Sequence, residues 1–192
     1  MNTITIDLNS ITPIDDEQFY QLCRANPELK FERNANGEIL IMSPTGGETG
    51  NCNAELLIEF GIWNRQTQLG KLFDSSTCFK LPNGANRSPD LAWIKLERWE
   101  GLTAPEKEKF PPLAPDFVLE LKSPTDRLST LQAKLEEYIE NGVKLAWLID
   151  RETHRVEVYR PGQDKQVFEK PATLSGEEIL PGFVLSFEKI WK

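Results

Sequence analysis

The chain has one histidine among its 192 residues, and this scarcity limits the catalytic mechanisms open to it. Ser-His-Asp and Cys-His mechanisms, and zinc sites built from several histidines, would all have to use His154. His154 is flanked by Arg151, Glu152 and Arg155, in a segment typical of an exposed hairpin turn. Any enzymatic chemistry is therefore expected to depend on carboxylates, lysine and a hard metal ion.

Cysteine is scarce, and long apolar runs are absent. Cys23, Cys52 and Cys78 are far apart and form no C-x-x-C pair, so neither a disulfide framework nor a zinc knuckle is predicted. No apolar run approaches the ~20 residues that span a bilayer. The first residues also lack the basic start and apolar stretch of a signal peptide. We therefore expect a cytoplasmic protein with reduced thiols and no membrane segment.

Positive charge is in deficit. The sequence has 22 basic and 30 acidic side chains, a net charge of -8, which argues against a protein that coats nucleic acid by bulk charge. Residues 61–134 have 11 basic and 9 acidic side chains, and the segments on either side are net acidic. This positive middle third is either chance variation on a solvated surface or the part that faces an anionic substrate.

The hydrophobic pattern predicts one α/β domain with a mixed sheet and a β-rich C-terminal part. No internal repeat or linker divides residues 1–192, whose core is expected at about 30–160. Residues 97–114 are charged and contain prolines, which indicates a surface excursion. Helices are predicted over 14–26, 48–68 and 126–141. Strands are predicted over 31–34, 38–42, 71–81, 90–96, 116–122, 145–150 and 155–160.

Two of these strands have acidic side chains at positions suited to metal chemistry. Asp90 opens one strand, and a later strand contains Glu120-Leu121-Lys122. Because strand side chains alternate in direction, Glu120 and Lys122 are expected on one face, about 7 Å apart. Asp90 and Glu120 could hold Mg²⁺, which typically takes one or two carboxylates and lowers the pKa of a bound water. Lys122 could then orient that water.

An Asp on one strand and Glu-x-Lys on a later strand resembles the PD-(D/E)xK nuclease superfamily. The wider pattern is similar to the Uma2-type (DUF820) family of restriction-endonuclease-like proteins. The resemblance covers about residues 10–190, and the motif alone is weaker than the ordered series of matches. The matching stretches are 42–46, 88–92, 114–120, 123–126, 134–142, 147–150, 158–161 and 180–183.

The resemblance implies a restriction-endonuclease-like mixed sheet flanked by helices. It also implies a Mg²⁺- or Mn²⁺-dependent endonuclease that hydrolyses DNA, with Asp90 and Glu120 as metal ligands and Lys122 as the catalytic lysine. In the superfamily the first long helix often supplies another acid, here Glu48 or Glu55. The dipole of the helix would also favour an acid at Glu48. Lys134 either approaches the site from the later helix or is a surface lysine whose stem covers apolar surface.

Two classes of function stay open at this point. One is a DNA hydrolase. The other is a catalytically silent nuclease-like fold that acts as a binding or regulatory module, which the acidic charge and the absence of a known DNA-reading motif favour. An enzyme acting on carbohydrates through paired carboxylates would leave the lysine unexplained. We expect a homodimer, because symmetric dimers are common and would present two sites to two DNA strands.

Overall fold

The computed structural model describes residues 3–8 and 12–191. The helices of these ranges are α1 (Asp16–Ala25), α2 (Gly47–Thr67), α3 (Leu96–Glu100), α4 (Ala104–Glu108) and α5 (Leu128–Glu140). The strands are β1 (Thr3–Ile6), β2 (Lys30–Arg33), β3 (Ile39–Met42), β4 (Gly70–Asp74), β5 (Phe79–Lys80), β6 (Asn86–Arg87), β7 (Leu91–Lys95), β8 (Phe117–Lys122), β9 (Leu145–Asp150), β10 (Arg155–Tyr159), β11 (Gln166–Glu169), β12 (Thr173–Ser175) and β13 (Val184–Ser186).

A six-stranded mixed sheet forms the centre of the fold, in the order β11-β10-β9-β8-β7-β4. Strands β8 and β9 are parallel, and the other neighbours in the sheet are antiparallel. A parallel pair needs a crossover connection, and α5 provides it. Strand β9 is buried along its whole length, as its apolar sequence predicts.

A second sheet of five antiparallel strands has the order β1-β3-β2-β6-β5, and β12 pairs with β13 in a third. The β2–β3 hairpin turns through Asn36-Gly37, and Gly37 has a φ of 90°, a backbone conformation that favours glycine. This hairpin matters for the site described below, because β2 brings an acidic side chain next to α5.

The central sheet is covered on both faces. On one face, Phe60 of α2 packs against Phe183 and Phe117, with ring centroids 4.2 and 5.2 Å apart. On the other face, Leu135 and Tyr138 of α5 pack in a second apolar cluster, which includes Val118 of β8. Because side chains alternate along β8, Glu120 follows Val118 on the α5 side, where it is buried.

The structure corrects the predicted strand over 71–81, which is wrong. The chain instead forms β4 and β5, which belong to different sheets. Between them, the carboxylate of Asp74 accepts hydrogen bonds from the backbone N–H and the hydroxyl of Ser76, at 3.1 and 2.6 Å. This turn ends β4, although the apolar alternation continues through it.

Other differences are smaller. The predicted excursion over 97–114 contains α3 and α4, and α4 begins with a capping box between Thr103 and Glu106. Strand β1 was not predicted. Helix α5 begins at Leu128 rather than 126, because Arg127 has an extended backbone and Asp126 belongs to a turn that starts at Ser123. None of the helices in the described ranges is long and apolar enough to cross a membrane.

Two glycines provide a matched test of the packing of α2 and β4. A Cβ at Gly70 would lie 2.3 Å from the carbonyl oxygen of Ile94 and 2.4 Å from the ring of Trp93, whereas a Cβ at Gly61 would meet only ordinary contact with Leu72 at 3.9 Å. We expect Gly70→Ala to lower the free energy of unfolding by about 1–3 kcal/mol. We expect Gly61→Ala to raise it by about 0.5–1 kcal/mol, because alanine is the better helix former. Urea unfolding measures both, and a Gly70→Ala variant as stable as the parent would contradict the described packing.

Candidate functional site

A cleft of about 990 Å³ lies between the second sheet and the first turns of α5, with β8 beneath it. Its walls include Thr3 and Thr5 of β1, and Leu40 and Met42 of β3. Both acidic and basic side chains reach into it. The charged lining residues are Glu32, Arg87, Asp90, Glu120, Asp126, Arg127, Lys134 and Glu137.

Asp90 lies at the start of β7, beside the end of β8. Leu91 pairs with Leu119 in the antiparallel ladder, so Asp90 and Glu120 follow at the same end of it. The Asp90 carboxylate accepts a hydrogen bond from the backbone N–H of Leu121 at 2.8 Å, which fixes it to the strand of Glu120. Burial raises the pKa of Asp90 above its usual value.

Glu120 is buried on the α5 side of β8. Its Oε1 lies 2.8 Å from Nζ of Lys134 and accepts a hydrogen bond from the Tyr138 hydroxyl at 3.1 Å. Burial raises the pKa of Glu120, the nearby carboxylates of Asp90 and Glu32 raise it further, and Lys134 opposes them. The resulting pKa is about 7, well above the usual value for a glutamate.

Glu32 of β2 completes a buried network of charges. Its carboxylate accepts hydrogen bonds from Lys134 at 2.9 Å, from the backbone of Ser88 at 2.9 Å and from Arg87 at 3.1 Å. Arg87 also donates to Glu137 at 2.6 Å. Burial alone would raise the pKa of Glu32, but Lys134 and Arg87 outweigh it and lower the pKa to about 2. Glu32 is therefore a permanent anion with three donors.

Sequence reasoning missed Glu32, Arg87 and the role of Tyr138. The segment around Glu32 has an ordinary strand pattern, and only the packing of a second sheet against α5 brings this side chain to the cleft. Tyr138 did carry a signal. A tyrosine on the buried face of a helix needs a partner for its hydroxyl, and Glu120 is that partner.

Of the two expected lysines, Lys134 lies in the cleft and Lys122 does not. The amine of Lys122 lies 3.1 Å from Oε2 of Glu152 and 3.5 Å from Oδ1 of Asp150. The parallel register places Lys122 beside Asp150, so an acidic partner is available on the neighbouring strand. Lys122 therefore does not join Asp90 and Glu120 in the cleft, as had been expected.

The two acids of α2 also lie elsewhere. The side chain of Glu48 is 90% exposed and lies 3.7 Å from Arg151. Glu55 lies 3.3 Å from Lys189. Neither residue lines the cleft, where the acids beside Asp90 and Glu120 are Glu32, Asp126 and Glu137.

The donor set suits a magnesium ion with few protein ligands. Within residues 3–8 and 12–191, no group of three or more His, Cys, Asp or Glu side chains is arranged to hold a metal. Mg²⁺ needs only one or two carboxylates, because it keeps several waters. Asp90 and Glu120 fit this pattern: both have raised pKa values, and Asp90 has no salt-bridge partner in the described part of the chain. Glu32 fits less well, since three donors already occupy it.

The fold is that of the restriction-endonuclease-like class. The chain belongs to the Uma2 family, described as "Putative restriction endonuclease", whose family model matches residues 16–188. Its structure is similar to the crystal structure of "a putative nuclease belonging to DUF820" from Anabaena variabilis ATCC 29413. The TM-score is 0.77 at 20% identity, over 93% of this chain and 98% of the other. No curated protein matches the chain at a significant level. The expected family and fold class are thus confirmed.

A carboxyl NMR titration without metal tests the electrostatics of the cleft. We expect Glu120 to titrate near pH 7 and Glu32 to stay ionised down to about pH 3. Since the folded pKa of Glu120 exceeds its usual value of 4.5, its contribution to the free energy of unfolding falls as the pH rises from 4.5 to 7. Spectra of Glu120→Gln and Glu32→Gln assign the two resonances. A Glu120 that titrates near 4.5 would contradict the described burial.

Proposed function

We propose that the chain is a Mg²⁺-dependent endonuclease, a hydrolase that cleaves DNA phosphodiester bonds in this cleft. The observation that carries the proposal is the pair Asp90 and Glu120, joined at one end of the β7–β8 ladder with raised pKa values and flanked by one lysine. Membership of a family described as restriction endonucleases supports it. So does the similarity in fold to a protein described as a nuclease.

Asp90 and Glu120 are the residues that would hold the metal. A bound Mg²⁺ or Mn²⁺ would neutralise charge on the phosphodiester and lower the pKa of a coordinated water. The protein contributes orientation. The backbone of Leu121 fixes the Asp90 carboxylate, and the Tyr138 hydroxyl fixes that of Glu120. Ligands held in this way keep their geometry when substrate arrives.

We assign the role of the catalytic lysine to Lys134 rather than Lys122. The ammonium of Lys134 lies 2.8 Å from Glu120 and lines the cleft, where it can orient the attacking water or stabilise negative charge that develops on the phosphate. Lys122 instead neutralises Asp150 and Glu152 at the end of β9. Its role is then structural.

The charges of the cleft explain how an acidic protein could act on DNA. Five acidic and three basic residues line it, so it is net negative before metal binds. A divalent cation would bring the lining close to neutrality. DNA binding is then expected to depend on metal, since Arg87, Arg127 and Lys134 are too few for strong contact with phosphates alone.

The proposal also includes the domain organisation, oligomeric state and location of the enzyme. Residues 1–192 would act as one domain, and a homodimer would present two clefts to the two strands of a duplex. A cytoplasmic location is supported by the three free thiols of Cys23, Cys52 and Cys78. Burial raises the pKa of these thiols to about 11, 11 and 12, which suits packing rather than catalysis.

Cleavage of plasmid and linear DNA with Mg²⁺ or Mn²⁺ tests the proposal. We expect Asp90→Asn and Lys134→Met to lower the cleavage rate by at least about 100-fold, because each removes charge stabilisation that the reaction needs. Lys122→Met is the matched control, since it removes a lysine two residues from Glu120 that does not line the cleft. We expect it to cleave at close to the parental rate, and thermal melting checks that each variant is folded.

Full activity of Asp90→Asn would contradict the assignment of the metal site. A large loss in Lys122→Met with none in Lys134→Met would return the catalytic role to Lys122. A parent protein that binds DNA but cleaves no form of it with either metal would favour the catalytically silent binding module.

A further inference from the structure

The Lys134 ammonium is shared between two carboxylates, and this sharing has a consequence for metal binding. Nζ lies 2.9 Å from Oε1 of Glu32 and 2.8 Å from Oε1 of Glu120. Glu32 is itself fixed by Arg87 and by the backbone of Ser88. The proposed function gives the same Glu120 carboxylate a second task, which is to bind a divalent cation.

A lysine that formed an ion pair with Glu120 alone would compete with that cation for the carboxylate. Both are positive, and both would be attracted to the same buried carboxylate, where charge interactions are strong. Glu32 offers the ammonium a second anion at almost the same distance. Among the described residues, the hydrogen bonds and ion pairs of Glu120 all end on Oε1, which leaves Oε2 without such a contact.

We propose that Glu32 is a positioning residue for the metal site and acts through Lys134. It holds the ammonium between two carboxylates, so that Glu120 keeps affinity for a divalent cation while Lys134 stays beside it. The inference rests on the proposed function, because it takes Asp90 and Glu120 as the metal ligands. Glu32 itself does not touch the metal or the DNA.

Glu137 provides the control that separates positioning from charge alone. It is a second carboxylate that lines the same cleft, and it also accepts a hydrogen bond from Arg87. No hydrogen bond or ion pair joins it to Lys134 in the described part of the chain. If Glu32 only adds negative charge to the cleft, removing either carboxylate should weaken metal binding to a similar extent. If Glu32 acts through Lys134, its removal should matter much more.

The experiment is a calorimetric titration of the full-length protein with Mn²⁺ in the absence of DNA. We expect Glu32→Gln to raise the Kd for Mn²⁺ about 10-fold, in the range found for residues that orient metal ligands. We expect a much smaller change for Glu137→Gln. In a Lys134→Met background, where no ammonium competes for Glu120, Glu32→Gln should add little further loss.

Equal losses in Glu32→Gln and Glu137→Gln would overturn the inference. So would a Glu32→Gln loss that persists undiminished in the Lys134→Met background. If circular dichroism shows that Glu32→Gln does not fold, Glu32→Asp takes its place. It keeps the charge but shortens the reach to Lys134, and we expect a weaker Mn²⁺ site, whereas a parental Kd would overturn the inference.

Mn²⁺ binding by the parent and by Asp90→Asn distinguishes a failure of this inference from a failure of the proposed function. Mn²⁺ binding that is lost in Asp90→Asn but unchanged in Glu32→Gln overturns only the role of Glu32. A parent protein that binds no Mn²⁺ overturns the metal site, and the role of Glu32 with it.

Discussion

The Lys134 ammonium, held between two carboxylates from different sheets, is the interaction on which the cleft depends. Glu32 comes from the five-stranded sheet, Glu120 from the central sheet and Lys134 from α5. The lysine side chain is only 13% exposed, and a largely buried cation is costly unless it is paired. The pairing therefore joins three parts of the fold at one point, and the candidate site lies there.

The same network gives the acidity of the chain a physical meaning. The net charge of -8 argues against a protein that binds nucleic acid by bulk charge, and the cleft itself is lined by more acids than bases. Burial raises the pKa of both Asp90 and Glu120, and the cations around them offset this only in part. Under the proposed function, this cleft would bind a cation first and a phosphate afterwards.

The sequence correctly predicts those elements whose signal lies within a short stretch of chain. The apolar run over 145–150 forms β9 as predicted, and the Asn36-Gly37 turn lies between β2 and β3. The motif was enough to predict that Asp90 and Glu120 lie close together, because the register of two neighbouring strands brings their ends together. The predicted strand over 71–81 was wrong because side-chain hydrogen bonds at Asp74 end β4. The alternation of hydrophobic residues does not reveal these bonds.

The remainder of the site depends on tertiary contacts that no spacing in the sequence encodes. A lysine side chain is long and flexible, and the acids nearest to it decide where its amine lies. For Lys122 these are Asp150 and Glu152, whereas Lys134 reaches Glu120 across the helix–sheet interface. Glu32 is more than 80 residues from Glu120 and enters the site from another sheet, as the order of the strands requires.

The central claim is that Asp90 and Glu120 together bind a divalent cation beside Lys134. Anomalous diffraction from crystals grown with Mn²⁺, collected on either side of the manganese absorption edge, tests it most directly. We expect an anomalous peak within bonding distance of both carboxylates, and no such peak in Asp90→Asn crystals. Manganese bound only at other residues, in crystals where the cleft is open to solvent, would contradict the claim.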